Sequence, residues 1–90
     1  MIFAFKLKRL REDAKISANA VANLTGIDPS TYYKIEAGKR KPSKTEVARL
    51  AALEELNVTA EELTAWRYAD IIGMENLEAI FRHVLGGKLK

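Results

Sequence analysis

The sequence predicts an all-α fold, and two kinds of local signal support this prediction. Apolar residues recur three and four positions apart along most of the 90-residue chain, which places them on one side of successive helices. Residues that favour helix starts precede several of these stretches: Ser17, Asp28 with Pro29, Ser43 and Thr59. A chain of this length, with 48% hydrophobic residues, is expected to form one domain around a single core.

The first three helices are expected at about Ala4–Ala14, from Ser17 to about Leu24, and from Asp28 to about Ala37. Gly38 should end the third helix in the left-handed conformation. In helix 1 the residues expected to face inward are Phe5, Leu7, Leu10 and Ala14, and those expected to face outward are Lys6, Lys8 and Arg9. Phe3 either extends this helix or lies outside it.

Two capping boxes predict the next two helix starts, since a hydroxyl residue is followed three positions later by Glu in Ser43-Lys44-Thr45-Glu46 and Thr59-Ala60-Glu61-Glu62. Helix 4 should run to about Leu56. Helix 5 should place Leu63 and Trp66 in the core, and residues 68–73 either continue this helix or fray from it.

The spacing within residues 17–42 is more specific than a run of helices. Ala22 leaves room for two helices to cross closely, and Gly26, four positions later, suits a tight turn. Tyr32 and Ile35 lie about one turn apart and can anchor the second helix to the first. This spacing is typical of a helix-turn-helix.

A wider set of residues resembles the Cro/repressor-type helix-turn-helix family, also called the XRE type, over roughly residues 5–68. The residues that carry the resemblance are Leu7, Leu10, Arg11, Ser17, Ala22, Gly26, Ile35, Glu36, Gly38, Pro42, Leu50, Ala51 and Leu63. The resemblance implies a five-helix repressor-type bundle whose third helix lies in the DNA major groove. It also implies an ion pair between Arg11 and Glu36.

By position in this motif, one side of helix 3 should face DNA bases, formed by Asp28, Pro29, Ser30, Tyr33, Lys34 and Ala37. Lys34 is the best candidate for a base contact, because it can donate to guanine O6 and N7. The residues expected to contact phosphate are Lys39, Arg40, Lys41 and Lys44, together with backbone N–H groups at the start of helix 2, beside Ser17, and of helix 4.

The sequence departs from the resembled family at three positions. Ala18 stands where family members often have Gln, and it cannot reach a phosphate or brace helix 3. Asp28 and Pro29 stand where the family usually places polar residues that read bases. We therefore expect weaker sequence specificity, with affinity depending on dimerisation, on the basic loop or on Lys6, Lys8 and Arg9.

A sixth helix is predicted from Met74 or Glu75 to Leu85, with an apolar stripe of Leu77, Ile80, Phe81, Val84 and Leu85. We divide the chain into a helix-turn-helix domain, residues 1–73, and this C-terminal element, residues 74–90. The stripe either folds back on its own bundle or pairs with a second copy. We favour a homodimer through Leu77, Ile80, Phe81 and Val84, because two recognition helices one DNA turn apart match a palindromic operator.

Charge is distributed unevenly, since residues 1–50 hold 11 Lys or Arg against 5 acids, and residues 51–90 hold 4 against 7. A basic half suits a polyanionic partner, although charge runs are as often solvated surface. The lone His83, the absence of cysteine and the helix-end positions of Glu54, Glu55, Glu61 and Glu62 argue against catalysis, a bound metal or a cofactor. The apolar opening, residues 1–5, is too short for a signal peptide or a membrane span, so we expect a cytoplasmic protein.

The sequence therefore favours a DNA-binding regulator that represses transcription by occluding an operator. One alternative is a protein-interaction module, such as a DNA-binding antitoxin, whose C-terminal stripe docks on a partner protein. The other is a helical bundle that has kept the fold and lost DNA binding.

Overall fold

The computed structural model describes residues 2–72, which form five α-helices and one short 3-10 turn. The helices are α1 (Ile2–Asp13), α2 (Ala18–Thr25), α3 (Pro29–Glu36), α4 (Lys44–Ala52) and α5 (Ala60–Ile72), and the 3-10 turn is Glu54–Leu56. No strand occurs in this range. The predicted sixth helix and its apolar stripe lie outside the described residues.

The predicted caps are present. The Ser17 hydroxyl accepts from the N–H of Ala20 at 3.1 Å, and the Asp28 carboxylate accepts from the N–H of Thr31 at 3.3 Å. Both capping boxes are reciprocal: Ser43 with Glu46, and Thr59 with Glu62. Gly38 is left-handed, with φ of 76°. Short-range sequence signals therefore determine where most helices begin.

The inward face predicted for α1 was wrong at Phe5, whose side chain is 65% exposed, while Phe3 is only 2% exposed. Phe3, Leu7 and Leu10 are spaced by four and three and share one side of the helix, whereas Phe5 projects from the opposite side. The helix also begins earlier than expected. The Asp70 carboxylate of α5 accepts from the N–H groups of Ile2 and Phe3, at 2.7 and 2.8 Å, and so caps the first turn of α1.

Helix 4 was predicted to reach Leu56, but α4 ends at Ala52. Leu53 is extended, with ψ of 103°, and the 3-10 turn that follows closes at Asn57, which is left-handed with φ of 52°. This bend brings Leu56 and Val58 into the core, where they are 2% and 8% exposed. Of the two alternatives for the last part of α5, continuation is correct as far as Ile72.

One core joins the five helices. In the described residues α1 packs on α3 and α5, α2 packs on α3 and α4, and α4 packs on α5. The buried side chains are Phe3, Leu7, Val21, Ala22, Ile27, Tyr32, Ile35, Val47, Leu50, Leu56, Val58 and Leu63. Because the core lies on one side of α3, the opposite side of that helix faces solvent.

Candidate nucleic-acid interface

The turn between α2 and α3 has the close geometry that the sequence predicted. Ala22 is 1% exposed, and Gly26 caps α2 in the left-handed conformation with φ of 74°. The Gly26 carbonyl accepts from Nη1 of Arg49 at 3.0 Å, so α4 braces the turn from outside the motif. Sequence reasoning missed Arg49, because no local pattern marks a contact between residues 23 positions apart.

Helix α3 presents two distinct sides. Tyr32 and Ile35 are buried, at 0% and 1% exposure, and hold the helix to the core. Ser30, Tyr33 and Lys34 lie on the exposed side, and Ala37, directly after the helix, is also exposed. The Tyr33 ring is 50% exposed and makes an edge contact with the Tyr32 ring, with centroids 6.4 Å apart. An anchored aromatic side chain thus stands beside Lys34 on the outer surface.

Asp28 and Pro29, at the start of α3, are only partly available to contact DNA bases. Asp28 is exposed, but its carboxylate accepts the hydrogen bond from the Thr31 backbone. Pro29 is half-buried. Capping at an N-terminus suits a negative charge, because the helix dipole is positive there. Asp28 therefore has a structural role whether or not DNA is bound.

A partly buried polar network joins the inner side of α3 to α1. Arg11 donates from Nε and Nη2 to the carboxylate of Glu36, with the shortest contact at 2.7 Å, and the two side chains are only 15% and 10% exposed. The Tyr32 hydroxyl donates to the same carboxylate at 2.6 Å. Arg11 also donates to the Ile16 carbonyl at 3.0 Å. The ion pair implied by the resemblance is present, and it fixes α3 against α1.

This network shifts the titration of its members in physically consistent directions. Burial alone would raise the pKa of Glu36, but the hydrogen bonds from Arg11 and Tyr32 outweigh it and hold that pKa below its usual range. Burial, with the hydrogen bond to Glu36, raises the pKa of Tyr32 far above its usual value. The hydrogen bond to Glu36 raises the pKa of Arg11. At neutral pH the network is therefore a cation, an anion and a neutral hydroxyl.

We call the segment Lys39, Arg40, Lys41 and Pro42, between α3 and α4, the basic loop. Its three cations are exposed, as is Lys44 in the first turn of α4. Arg40 differs from the lysines because its Nη1 pairs with Glu46 at 2.7 Å, and its side chain is 42% exposed. Burial alone would raise the pKa of Glu46, but the hydrogen bond from the Ser43 N–H and the pair with Arg40 outweigh it and keep that pKa low.

The basic loop is also held from α5, by a contact that the sequence did not indicate. Nε of Arg67 donates to the Pro42 carbonyl at 2.7 Å. Lys6, which the sequence suggested as an accessory cation, is exposed and lies over the Trp66 ring, 5.6 Å from its centroid. That position ties Lys6 to the interface between α1 and α5.

These features are those of a helix-turn-helix domain, and comparison with known families supports this. A family model described as a helix-turn-helix domain matches residues 2–66, more than two thirds of the chain. The chain belongs to this family. The match agrees with the resemblance to the Cro/repressor type and begins closer to the N-terminus than the resemblance did, which suits the buried Phe3.

Helix-turn-helix domains of this family bind DNA and are typically not enzymes. Searches of curated proteins and of solved structures gave no significant match. None of the helices in residues 2–72 is long and apolar enough to cross a membrane.

Proposed function

We propose that the protein is a cytoplasmic transcriptional regulator that binds an operator and represses by occluding it, without a cofactor. The observation that carries this proposal is the outer side of α3, which is exposed, polar and aromatic while Tyr32 and Ile35 fix its inner side. A helix held in this way can enter the major groove without rearranging the core. The basic loop lies directly after it, on the path toward α4.

In this proposal, base and phosphate contacts come from different residues. Lys34 donates to a guanine edge, with Ser30 and Tyr33 beside it as adaptable partners, while Asp28 and Pro29 shape the start of the helix. Phosphates are contacted by Lys39, Arg40, Lys41 and Lys44 and by backbone N–H groups near Ser17 and Ser43. Arg40 contributes less than the lysines, because a phosphate must compete with Glu46 for its guanidinium.

We further propose that two copies bind together. Residues 1–73 act as the DNA-binding domain and residues 74–90 as the pairing element, through Leu77, Ile80, Phe81 and Val84. Two-fold pairing doubles the number of phosphate contacts and compensates for the few base-reading groups of each copy. The same apolar stripe would bind a partner protein if the chain is the DNA-binding antitoxin of a toxin and antitoxin pair.

Selection from a pool of random duplexes, combined with mass measurement of the bound species, tests specificity and stoichiometry together. The proposal predicts an enriched inverted repeat bound by two copies. Lys34→Ala should relax the preference at one position of each half-site, while Lys15→Gln, which removes an exposed cation in the loop after α1, should leave the selected sequence unchanged.

Two other results would contradict parts of this proposal. A stable complex with another protein, abolished when Leu77 and Phe81 become polar while DNA binding persists, would favour the partner-docking alternative. No salt-sensitive binding to any duplex at low ionic strength would favour a bundle that has lost DNA binding.

A further inference from the structure

We propose that Arg67 is a positioning residue for DNA binding: from α5, outside the helix-turn-helix motif, it holds the basic loop in the arrangement that contacts phosphate. This inference rests on the proposed function of the loop. The interaction is a single hydrogen bond of 2.7 Å from Nε of Arg67 to the Pro42 carbonyl, across 25 positions of sequence. A charged donor makes this bond stronger than a neutral one.

Neither helix that flanks the loop satisfies that carbonyl. The Lys39 N–H closes the end of α3 by donating to the Lys34 carbonyl at 2.9 Å. The hydrogen bonds of α4 begin at the Ser43 carbonyl, which accepts from the Val47 N–H at 2.9 Å. Pro42 lies between these two caps and has no N–H of its own. Arg67 therefore supplies from a distant helix the partner that local structure does not provide.

The packing around Pro42 indicates that this anchor is firm. Pro42 is buried, and Arg67 is half-buried beside it. A cavity of only about 10 Å³ remains between the loop, α1 and α5, lined in part by Phe3, Ile35 and Asp70. Asp70, one turn beyond Arg67, holds the first N–H groups of α1. The end of α5 thus joins the loop and α1 in one closely packed region.

Anchoring matters because the exposed cations Lys39 and Lys41 repel each other in the absence of DNA, whereas Arg40 between them is paired with Glu46. A loop released from α5 would sample more conformations, and ordering it on a phosphate backbone would cost entropy. Arg67 reduces that cost by fixing the carbonyl at the end of the loop while leaving Lys39 and Lys41 exposed.

The test compares Arg67→Ala with a matched control, Arg49→Ala, which also removes an arginine and one hydrogen bond to a backbone carbonyl in another element. Hydrogen exchange is measured at the amides of Lys39, Arg40, Lys41 and Ser43. Binding to a labelled short duplex of random sequence is measured over a range of NaCl concentrations. Both arginine changes are repeated in a background with Lys39 and Lys41 replaced by Ala, and circular dichroism monitors folding.

Arg67→Ala is expected to speed loop exchange and to lower the salt slope by about 0.9 for each phosphate that the loop no longer neutralises. In the background that already lacks Lys39 and Lys41, Arg67→Ala should not lower the salt slope further. Arg67→Gln keeps an amide donor but no charge, so its loop exchange rate should lie between those of the wild type and Arg67→Ala. If Arg67→Ala does not fold, Arg67→Gln replaces it in the comparison with the wild type. Arg49→Ala should leave loop exchange as in the wild type.

If the wild type binds DNA and both Arg67 variants exchange their loop amides at the wild-type rate, the role of Arg67 is overturned while the proposed function stands. A slope change that persists in full without the two lysines would also overturn it, since Arg67 would then contact phosphate directly. Wild-type protein with no salt-dependent binding would overturn the proposed function and this inference together.

Discussion

Glu36 links α3 to α1 through hydrogen bonds, in addition to the core packing of the two helices. Its carboxylate accepts from Arg11 and from Tyr32, and the shortest of these hydrogen bonds is 2.6 Å. A nearly buried ion pair gains little net stability, because desolvation offsets attraction, but removing one partner leaves an uncompensated charge. The network therefore fixes the orientation of the candidate recognition helix more than it stabilises the fold.

Replacing either Arg11 or Glu36 with Ala should lower the free energy of unfolding by ~3 kcal/mol, because the remaining charge stays buried without its partner. The double variant should be less destabilised than the two single effects together imply, by ~0.5 to 3 kcal/mol. Urea unfolding of the four proteins measures this coupling. Strict additivity would show that the two side chains do not interact.

Glu36 and Tyr32 should make the stability of the fold depend on pH in opposite directions. Because the pKa of Glu36 is lowered in the folded state, the unfolded chain binds more protons in acid. The stability that Glu36 contributes is complete above its usual value of about 4.3 and is lost as pH falls below it. Because the pKa of Tyr32 is raised, the stability contributed by Tyr32 is lost as pH rises above about 10.

Unfolding in urea between about pH 3 and pH 11 checks both effects. Glu36→Gln should flatten the acid side of the stability profile, and Tyr32→Phe should flatten the alkaline side. Profiles of both variants that parallel the wild type would exclude this network as the source of the pH dependence.

Among the elements, the tight turn between α2 and α3 determines where α3 emerges from the core. Gly26 has φ of 74°, which an L side chain adopts at a cost, while its carbonyl is held by Arg49. Lys15, after α1, has φ of 59° although it is not glycine. Among the left-handed positions of the described residues, Gly26 is thus filled by the favoured residue and Lys15 by a disfavoured one.

Gly26→Ala should destabilise the protein by ~1 to 2 kcal/mol, because alanine is strained at this φ. Lys15→Gly provides the matched control, and it should be neutral or stabilise by up to ~1 kcal/mol, since glycine relieves strain at the same kind of position. Thermal or urea unfolding measures both changes. Equal effects of the same sign would contradict the assignment of strain to these two positions.

Sequence reasoning predicted the elements where the determining contacts are local. Ser17, Asp28 and Ser43 cap helices within three residues of themselves, and each cap is present. The exposure of Phe5 also follows from local geometry, because a residue two positions before Leu7 lies on the opposite side of a helix.

The early end of α4 and the capping of α1 by Asp70 were not predictable in this way. The first depends on burying Leu56 and Val58 in the assembled core, and the second on a partner 67 or 68 residues away. Within the candidate site, the exposure of Lys34 follows from helical spacing. The bonds made by Arg49 and Arg67 depend on where α4 and α5 pack, which no short pattern encodes.

In the molecule as a whole, the residues proposed to contact DNA and the residues that close the bundle lie in different regions of the chain. The basic loop and the outer side of α3 lie together in the chain, while α5 closes the bundle through Leu63, Asp70 and Arg67. Five of the 11 Lys and Arg residues of positions 1–50 lie on the outer side of α3, in the basic loop or in the first turn of α4, and the acidic half of the chain follows them in sequence. Such a distribution would orient the protein toward DNA during encounter.

Mapping amide chemical shifts during titration with a duplex from the selection locates the DNA-contact surface on the chain itself, and so tests whether α3 and the basic loop form it. We expect the largest shifts at Ser30, Tyr33 and Lys34 and in the basic loop, with small shifts along Ala60–Ile72. Shifts concentrated in α5, with α3 and the basic loop unaffected at saturating DNA, would contradict it.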